Sequence, residues 1–324
     1  MTISIDDVRA AATRIKTHAV RTPLLENAAL NERCGMRVFI KPENLQRTGS
    51  FKFRGAFNRL VQLSPDEKEG GVVAWSSGNH AQGVAAAAQI LGIRAAIVMP
   101  EDAPKIKIEN TRAYGAEVIF YDRYKESRER IGASLAEERG AVLVPSYDDP
   151  AIMAGQGTCG LEIAEDVGAL GAEIDAALVC CGGGGLIAGS SLALQEKNPN
   201  TKVYSVEPAG FDDHARSLVS GQREKIDPDA TSICDALLAP MPGDLTFAVN
   251  KNTLAGGLVV TDDEVRAAMR FAFSVLKLVC EPGGSVALAA LLSGKLDIEA
   301  NAVAIVISGG NVDQQLFADT LIAR

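Results

Sequence analysis

Read for its apolar positions alone, the chain switches between two periods. Residues 5–18 carry apolar side chains at helical spacing, and an extended stretch, RVFIKPEN, follows at 37–44. From residue 71 the pattern becomes regular. Runs of Val, Ile and Ala at 71–77, 94–100, 116–121, 141–145, 174–181, 202–208, 257–261 and 302–310 predict buried strands. Segments at 79–92, 104–114, 124–138, 151–167, 186–196, 262–279, 284–294 and 312–323 predict the helices between and after them. Strands that are apolar throughout are covered on both faces, as parallel strands are when helices connect them. The expected fold is α/β with two doubly wound, mostly parallel sheets. Four of the strands fall between 71 and 148, so we expect a small mobile domain at 71–148 and a large domain from 1–70 and 149–324. Ligands of such sheets gather at the carboxyl ends of strands. That directs attention to SSGNH, CGGGG, EP and SGGN, each of which follows a strand.

Composition narrows the partners. The chain has 324 residues, 47% of them apolar, which is ample for a folded core. A net charge of −9 and no long basic run argue against nucleic acid. The N-terminal MTISIDDVRAAATRIK has no basic segment leading into an apolar one, so no secretory signal is expected. No apolar run approaches the ~20 residues of a membrane span. Cys34, Cys159, Cys180, Cys181, Cys234 and Cys280 show no CxxC spacing, and we read them as reduced, mostly core thiols of a cytoplasmic protein.

Four segments carry candidate chemistry. VCCGGGGLIAG, 179–189, sets Gly182, Gly183, Gly184 and Gly185 between a strand and a helix. A turn needs one glycine or two. Four in a row let the backbone approach a ligand closely, and successive N–H groups at a helix start cradle an anion. Neither a Gly-Lys-Ser/Thr sequence nor a GxGxxG arrangement with a later acid is present. WSSGNHAQG, 75–83, gathers Ser76, Ser77, Asn79 and His80. Ser77 or Asn79 alone suffices to cap the helix, and His80 reads equally as a half-buried histidine at a helix start. AIVISGGN, 304–311, ends a strand on Ser308, which is either a cap for the next helix or a ligand contact. RTGSFKFRGA, 47–56, sets Lys52 between Phe51 and Phe53 after a glycine turn. Either Lys52 points to water while one Phe points in, or it is held dry, where a lowered pKa makes its amine a nucleophile or a base.

In this order, SFKFRGA, SSGNHAQG, CGGGGLIAG and SGGN resemble the motifs of fold-type II pyridoxal-phosphate enzymes. More narrowly, the chain resembles the branch of serine/threonine dehydratases, serine racemases and 3-hydroxyaspartate dehydratases, from RTPLLENAALNE at 21 to SGGNVD at 308–313. The resemblance implies a tryptophan synthase β-like fold, pyridoxal 5′-phosphate as cofactor, and a homodimer. It makes Lys52 the Schiff-base lysine, kept dry by Phe51 and Phe53. Gly182 to Gly185 with Leu186 would hold the phosphate, Asn79 the ring 3′-oxygen, and Ser308 would face the pyridine nitrogen. A serine there does not enforce a protonated ring, which suits elimination over a long-lived carbanion. Ser77 is implied as acid/base on the far side of the substrate Cα. Ser76, Ser77, Asn79 and His80 are implied around the α-carboxylate, where a helix N-terminus favours anions.

One more stretch refines the branch. SVEPAGFDDHARS, 205–217, places Glu207 after a strand with Asp212 and Asp213 close behind. Acids so placed commonly cap a helix. By resemblance, the Glu207 and Asp213 side chains and the Phe211 carbonyl hold a divalent cation, and an all-oxygen set suits Mg²⁺ or Ca²⁺. The implied activity is dehydration and deamination of a small β-hydroxy amino acid, 3-hydroxyaspartate ahead of serine and threonine, with racemisation second. A cofactor-carrying protein without activity is the alternative outside enzymes. A second substrate carboxylate calls for a cation, and Arg47, His214 and Lys277 are the candidates.

Overall fold

Residues 3–322 are described by a computed structural model. Ten strands form two sheets: β1 Leu25–Glu26, β2 Arg37–Pro42, β3 Val72–Trp75, β4 Ala95–Pro100, β5 Glu117–Tyr121, β6 Val142–Leu143, β7 Ala176–Cys180, β8 Lys202–Pro208, β9 Leu254–Val260 and β10 Ala302–Ile307. Helices α1 Ile5–Ile15, α2 Ala28–Cys34, α3 Lys52–Leu60, α4 Pro65–Gly70, α5 Asn79–Leu91, α6 Lys105–Ala113 and α7 Arg128–Arg139 fall in the first half. The second half carries α8 Pro150–Ala169, α9 Gly185–Lys197, α10 Asp213–Ser220, α11 Asp244–Thr253, α12 Asp262–Phe271, α13 Pro282–Leu292 and α14 Gln314–Ile322. A six-stranded sheet runs β1-β2-β10-β7-β8-β9, and a four-stranded sheet runs β5-β4-β3-β6. All pairings are parallel except β1 with β2. The α/β reading with two mostly parallel sheets therefore holds.

Several boundaries differ from those predicted, each for a local reason. The run at 141–145 pairs over only two residues, as an edge strand beside β3. The helix expected from 124 starts at Arg128, because the Ser127 hydroxyl accepts the Arg130 N–H and sets the cap there. The helix expected over 262–279 ends at Phe271 and opens into a wider turn, Ala272–Leu276, stopped by Lys277 at φ 62°. The helix predicted to reach 323 begins at Gln314, and residue 323 lies outside the described residues.

Helix α3 was not predicted. It buries Phe53, Ala56, Phe57 and Leu60, but also Arg54 and Asn58. Those polar residues break the apolar pattern in the sequence. Arg54 is fully buried because two acids meet it: Nε and Nη2 donate to Glu43 at 2.7 and 2.8 Å, and Nη1 and Nη2 to Glu162 at 2.7 and 2.8 Å. Each sheet has its own apolar core. Val303, Ile305 and Leu178 pack with Val286 to Ala290 of α13. Val72, Ala74, Ile97 and Met99 pack with the alanines of α5 and with Phe53, Phe57 and Leu60 of α3. Emptying such a site, as in Phe57→Ala, costs about 3–5 kcal/mol. Thus α3, which begins with Lys52, is held by burial on one side and by ion pairs on the other. The carboxyl ends of both sheets open on one cavity of about 470 Å³.

Candidate active site

Lys52 is the first residue of α3 and reaches into this cavity. The turn before it holds β-branched Thr48 in strained left-handed backbone at φ 66°, followed by Gly49, which takes the same region freely at φ 71°. The turn is clamped to the end of β10. Asn311 Nδ2 donates to the Thr48 carbonyl at 2.8 Å, and the Phe51 N–H donates to the Ser308 carbonyl at 3.1 Å. Lys52 Nζ donates to the Ser146 carbonyl at 2.8 Å and lies 5.2 Å from the centre of the Phe51 ring. Burial pulls its pKa down to about 8, with Cys180 and Glu281 acting in the opposite direction. Phe51 lines the cavity, whereas Phe53 turns away and packs on Phe57.

The glycine loop leaves β7 and enters α9. Gly184 sits at φ 92°, and no side chain caps the helix. A methyl group on Gly183 would overlap the Tyr147 ring, so only glycine fits under it. Behind the loop, Thr246 Oγ1 donates to the Gly183 carbonyl at 2.6 Å and Asn250 Nδ2 to the Gly184 carbonyl at 3.3 Å. With those carbonyls taken up from behind, the N–H groups of Gly182 to Gly185 donate to no described residue. Gly182 to Leu186 all line the cavity. Uncapped amides at the positive end of a helix, walled by glycine, fit a phosphate dianion.

Ser76, Ser77, Asn79 and His80 come together at the end of β3 and the start of α5. Neither Ser77 nor Asn79 caps α5. Ser76 Oγ accepts the Gly78 N–H at 3.1 Å, while the Ser77 hydroxyl makes no hydrogen bond to a described residue. His80 is buried, not half-exposed, with Nε2 at 2.9 Å from the Val144 carbonyl. Burial, with the Lys52 charge adding to it, pushes its pKa down to about 3, so the ring is neutral. Ser308 lies at the floor beside Cys180, and burial pushes that thiol up to about 11. Ser308 does not cap the next helix; Asp313 Oδ1 does, accepting the Gln315 and Leu316 N–H groups.

Glu207 and Asp213 meet outside the cavity, between β8 and α10. Glu207 Oε1 and Oε2 accept the His214 and Ala215 N–H groups at 2.8 and 2.7 Å. Asp213 Oδ2 is buried without a partner. Burial, then the neighbouring Asp213, pushes Glu207 well above the carboxylate range; burial pushes Asp213 to about 7. Among the described residues no three His, Cys, Asp or Glu side chains converge as a ligand set. Two adjoining buried carboxylates, one with a free oxygen, suit a divalent cation only if backbone oxygen completes its shell.

The sequence missed several cavity residues. Arg47, His214 and Lys277 do not line it. Arg47 Nε bonds the His18 carbonyl, His214 packs behind Gly184 against Asn250, and Lys277 Nζ bonds the Ser274 carbonyl. The lining cations besides Lys52 are Lys107, Arg123, Arg128 and Arg223. Lys107 meets Asp235 and Glu281, Arg123 meets Asp102, and Arg223 meets Asp244. Arg128 uses only Nε, toward Glu129 at 2.9 Å, which leaves the terminal nitrogens open. Nothing local in the sequence sets Arg128 apart from the charges of an exposed helix start.

Comparison with known proteins agrees with this geometry. Residues 15–309 match the family described as pyridoxal-phosphate dependent enzyme. The chain is 46% identical to an L-threo-3-hydroxyaspartate ammonia-lyase of Pseudomonas sp, covering 98% of each chain. It is 43% identical to a serine racemase of Schizosaccharomyces pombe, over 98% of this chain and 96% of that one. The maize serine racemase structure superposes with a TM-score of 0.93 at 38% identity, over 99% of this chain and 97% of that one. With its lysine, glycine cradle and serine floor on one cavity, the chain belongs to the pyridoxal-phosphate dependent enzymes.

Proposed function

We propose that the protein is an ammonia-lyase that dehydrates and deaminates a small β-hydroxy amino acid, 3-hydroxyaspartate ahead of serine and threonine. The observation that carries the reading is the Lys52 amine, desolvated and free of any carboxylate bond, facing an uncapped glycine cradle across one cavity. Pyridoxal phosphate, when bound, supplies an aldehyde carbon for covalent attachment and a ring that accepts the electrons of the broken Cα–H bond. Lys52 Nζ would be the attachment point and then take the Cα proton. The Gly182 to Gly185 amides and Leu186 would hold the phosphate, beside Phe51. Asn79 Nδ2 would hydrogen-bond the ring oxygen, and the Ser308 hydroxyl would face the ring nitrogen. Ser76, Ser77, Asn79 and His80 hold the α-carboxylate at the positive end of α5. As the Cα proton passes to Lys52 the Cβ–O bond would break, and the Lys52 ammonium so formed would give a proton to the departing hydroxyl, which leaves as water. The released enamine hydrolyses to a 2-oxo acid and ammonia.

The open terminal nitrogens of Arg128 favour hydroxyaspartate, because a second carboxylate needs a cation and Arg128 pairs with Glu129 only through Nε, whereas Arg123 and Arg223 commit terminal nitrogens to Asp102 and Asp244. Arg128→Met should raise KM for hydroxyaspartate about 10–100-fold, the worth of a charged hydrogen bond, and leave serine nearly unchanged. Racemisation is the second reading, favoured by the unengaged Ser77 hydroxyl, which is free to carry a proton on the opposite face of Cα.

In the same reading, Glu207, Asp213 and the Phe211 carbonyl hold Mg²⁺ or Ca²⁺ outside the cavity. Residues 71–148 form a small mobile domain against a large one from 1–70 and 149–324. The six unpaired cysteines fit a cytoplasmic protein, and the assembly is a homodimer. The deciding experiment incubates the loaded protein with serine, threonine and both 3-hydroxyaspartate diastereomers. It measures 2-oxo acid, ammonia and the chirality of remaining substrate. No 2-oxo acid from any of them would end the ammonia-lyase reading; inverted substrate without 2-oxo acid would install the racemase one.

A further inference from the structure

Lys107 sits on α6, beside the four-stranded sheet, yet its ammonium is buried against the six-stranded one. Its side chain is only 2% exposed, and Nζ lies 2.6 Å from Asp235 Oδ2 and 3.2 Å from Glu281 Oε2. Glu281, at the start of α13, is itself 1% exposed. Its other oxygen, Oε1, accepts the Asn79 amide. Asn79 Oδ1 in turn accepts Asn311 Nδ2 at 2.9 Å, and the same Asn311 nitrogen holds the Thr48 carbonyl at 2.8 Å.

This chain of bonds decides which way the Asn79 amide points. An amide side chain has one acceptor oxygen and two N–H donors. Asn311 claims the oxygen. An ionised Glu281 is acceptor-only and claims one N–H. The second N–H is left over. Burial favours the protonated form of Glu281 and the Lys107 ammonium opposes it; a protonated Glu281 would carry a hydroxyl able to donate to the Asn79 oxygen, and the amide would no longer be held in one orientation. Two close approaches show that the pair is built in rather than incidental. A methyl group on Gly78, in the loop that carries Ser76 and Ser77, would come within 2.8 Å of Lys107 Cδ and 3.1 Å of its Nζ. A methyl group on Gly309, one residue past Ser308, would overlap Glu281 Oε1.

We propose that Lys107 is a positioning residue: by keeping Glu281 ionised it fixes the Asn79 amide with a free N–H toward the cofactor ring, and it pins the 76–79 loop to the six-stranded sheet. The inference rests on the reading above in which Asn79 meets the ring oxygen. Lys107 touches neither cofactor nor substrate, so its loss acts on the electronic state of the ring and on turnover, with substrate affinity spared.

The test uses the loaded enzyme. Lys107→Met should shift the visible absorbance of bound cofactor and lower kcat about tenfold, with KM within twofold of wild type. Lys107→Arg should restore both. If Lys107→Met does not fold, Glu281→Gln, which removes the charge that Lys107 sustains while keeping the shape of the side chain, is read the same way. A lowered thermal midpoint with unchanged spectrum and kcat means a purely structural ion pair and overturns the inference. Asn79→Ala separates the two levels. If it alters spectrum and kcat while Lys107→Met does not, the inference fails and the assignment of Asn79 stands. If Asn79→Ala alters neither, that assignment fails and takes the inference with it.

Discussion

Lys52 and Lys107 line the same cavity and both are drawn out of water, but the protein surrounds them in opposite ways. Around Lys52 the bonded partner is a neutral carbonyl, and burial brings its pKa down to about 8. Around Lys107 burial works in the same direction, yet Glu281 and Asp235 outweigh it and hold the pKa above the ordinary lysine value. One lysine is thereby made available as an amine and the other is kept as a cation. The difference lies in the anions within reach, not in depth, so chemical fate can be reassigned by moving a single carboxylate.

Removing each amine tests the contrast at its strongest. Lys52→Ala should abolish turnover, at least the roughly 10²–10⁴-fold that a positioned base contributes, and remove the visible absorbance of the loaded protein. Both are read by spectroscopy and ammonia release, and a variant that keeps its colour and rate refutes the role given to Lys52. Lys107→Met should keep about a tenth of the turnover and in addition cost stability, about 3–5 kcal/mol in denaturant unfolding, because it strands a buried carboxylate. Asp235→Asn should cost less, since Asp235 is one-third exposed and its charge is partly solvated.

A subtler check uses pH. The folded-state pKa of Lys52 is depressed from 10.5 to about 8, so between those values the unfolded chain binds a proton that the folded chain has lost. Stability of the cofactor-free protein should therefore rise with pH across that window. Lys52→Met should be the more stable protein at neutral pH, by up to roughly 3 kcal/mol, with the advantage fading as pH approaches 10.5. A gain that stays flat across that range means Lys52 is not desolvated. The smallest effect comes from giving Lys52 what Lys107 has. Cys180→Asp sets a carboxylate beside it and should raise its pKa by about one unit or more. The pH curve for modification by an amine reagent would then move to higher pH by that amount.

What the sequence disclosed follows the same division. Strands β3, β4, β7, β8 and β10 were legible because unbroken apolar runs signal burial on both faces. The four glycines were legible because no ordinary turn needs them. Helix α3 was hidden by Arg54 and Asn58, whose burial depends on Glu43, 11 residues away, and on Glu162 and the Ala151 carbonyl, far along the chain. Lys107 and Glu281 look like surface charges until the fold brings them together across 174 residues. Asp148 falls between the predicted elements, yet it caps α11 from 96 residues away by accepting the Asp244 N–H. Periodicity reports whether a side chain is apolar, and it is silent on polar groups buried by distant partners.

The contact of Gly78 with Lys107 also imposes an order on history. A lineage that first replaced Lys107 with something shorter would open room for alanine at 78. One that tried alanine first would drive the ammonium off its two acids while Glu281 was still committed. The same asymmetry holds for Gly309 and Glu281. Gly78 and Gly309 therefore answer to Lys107 and Glu281, and leaving by the charged end first still strands a buried partner.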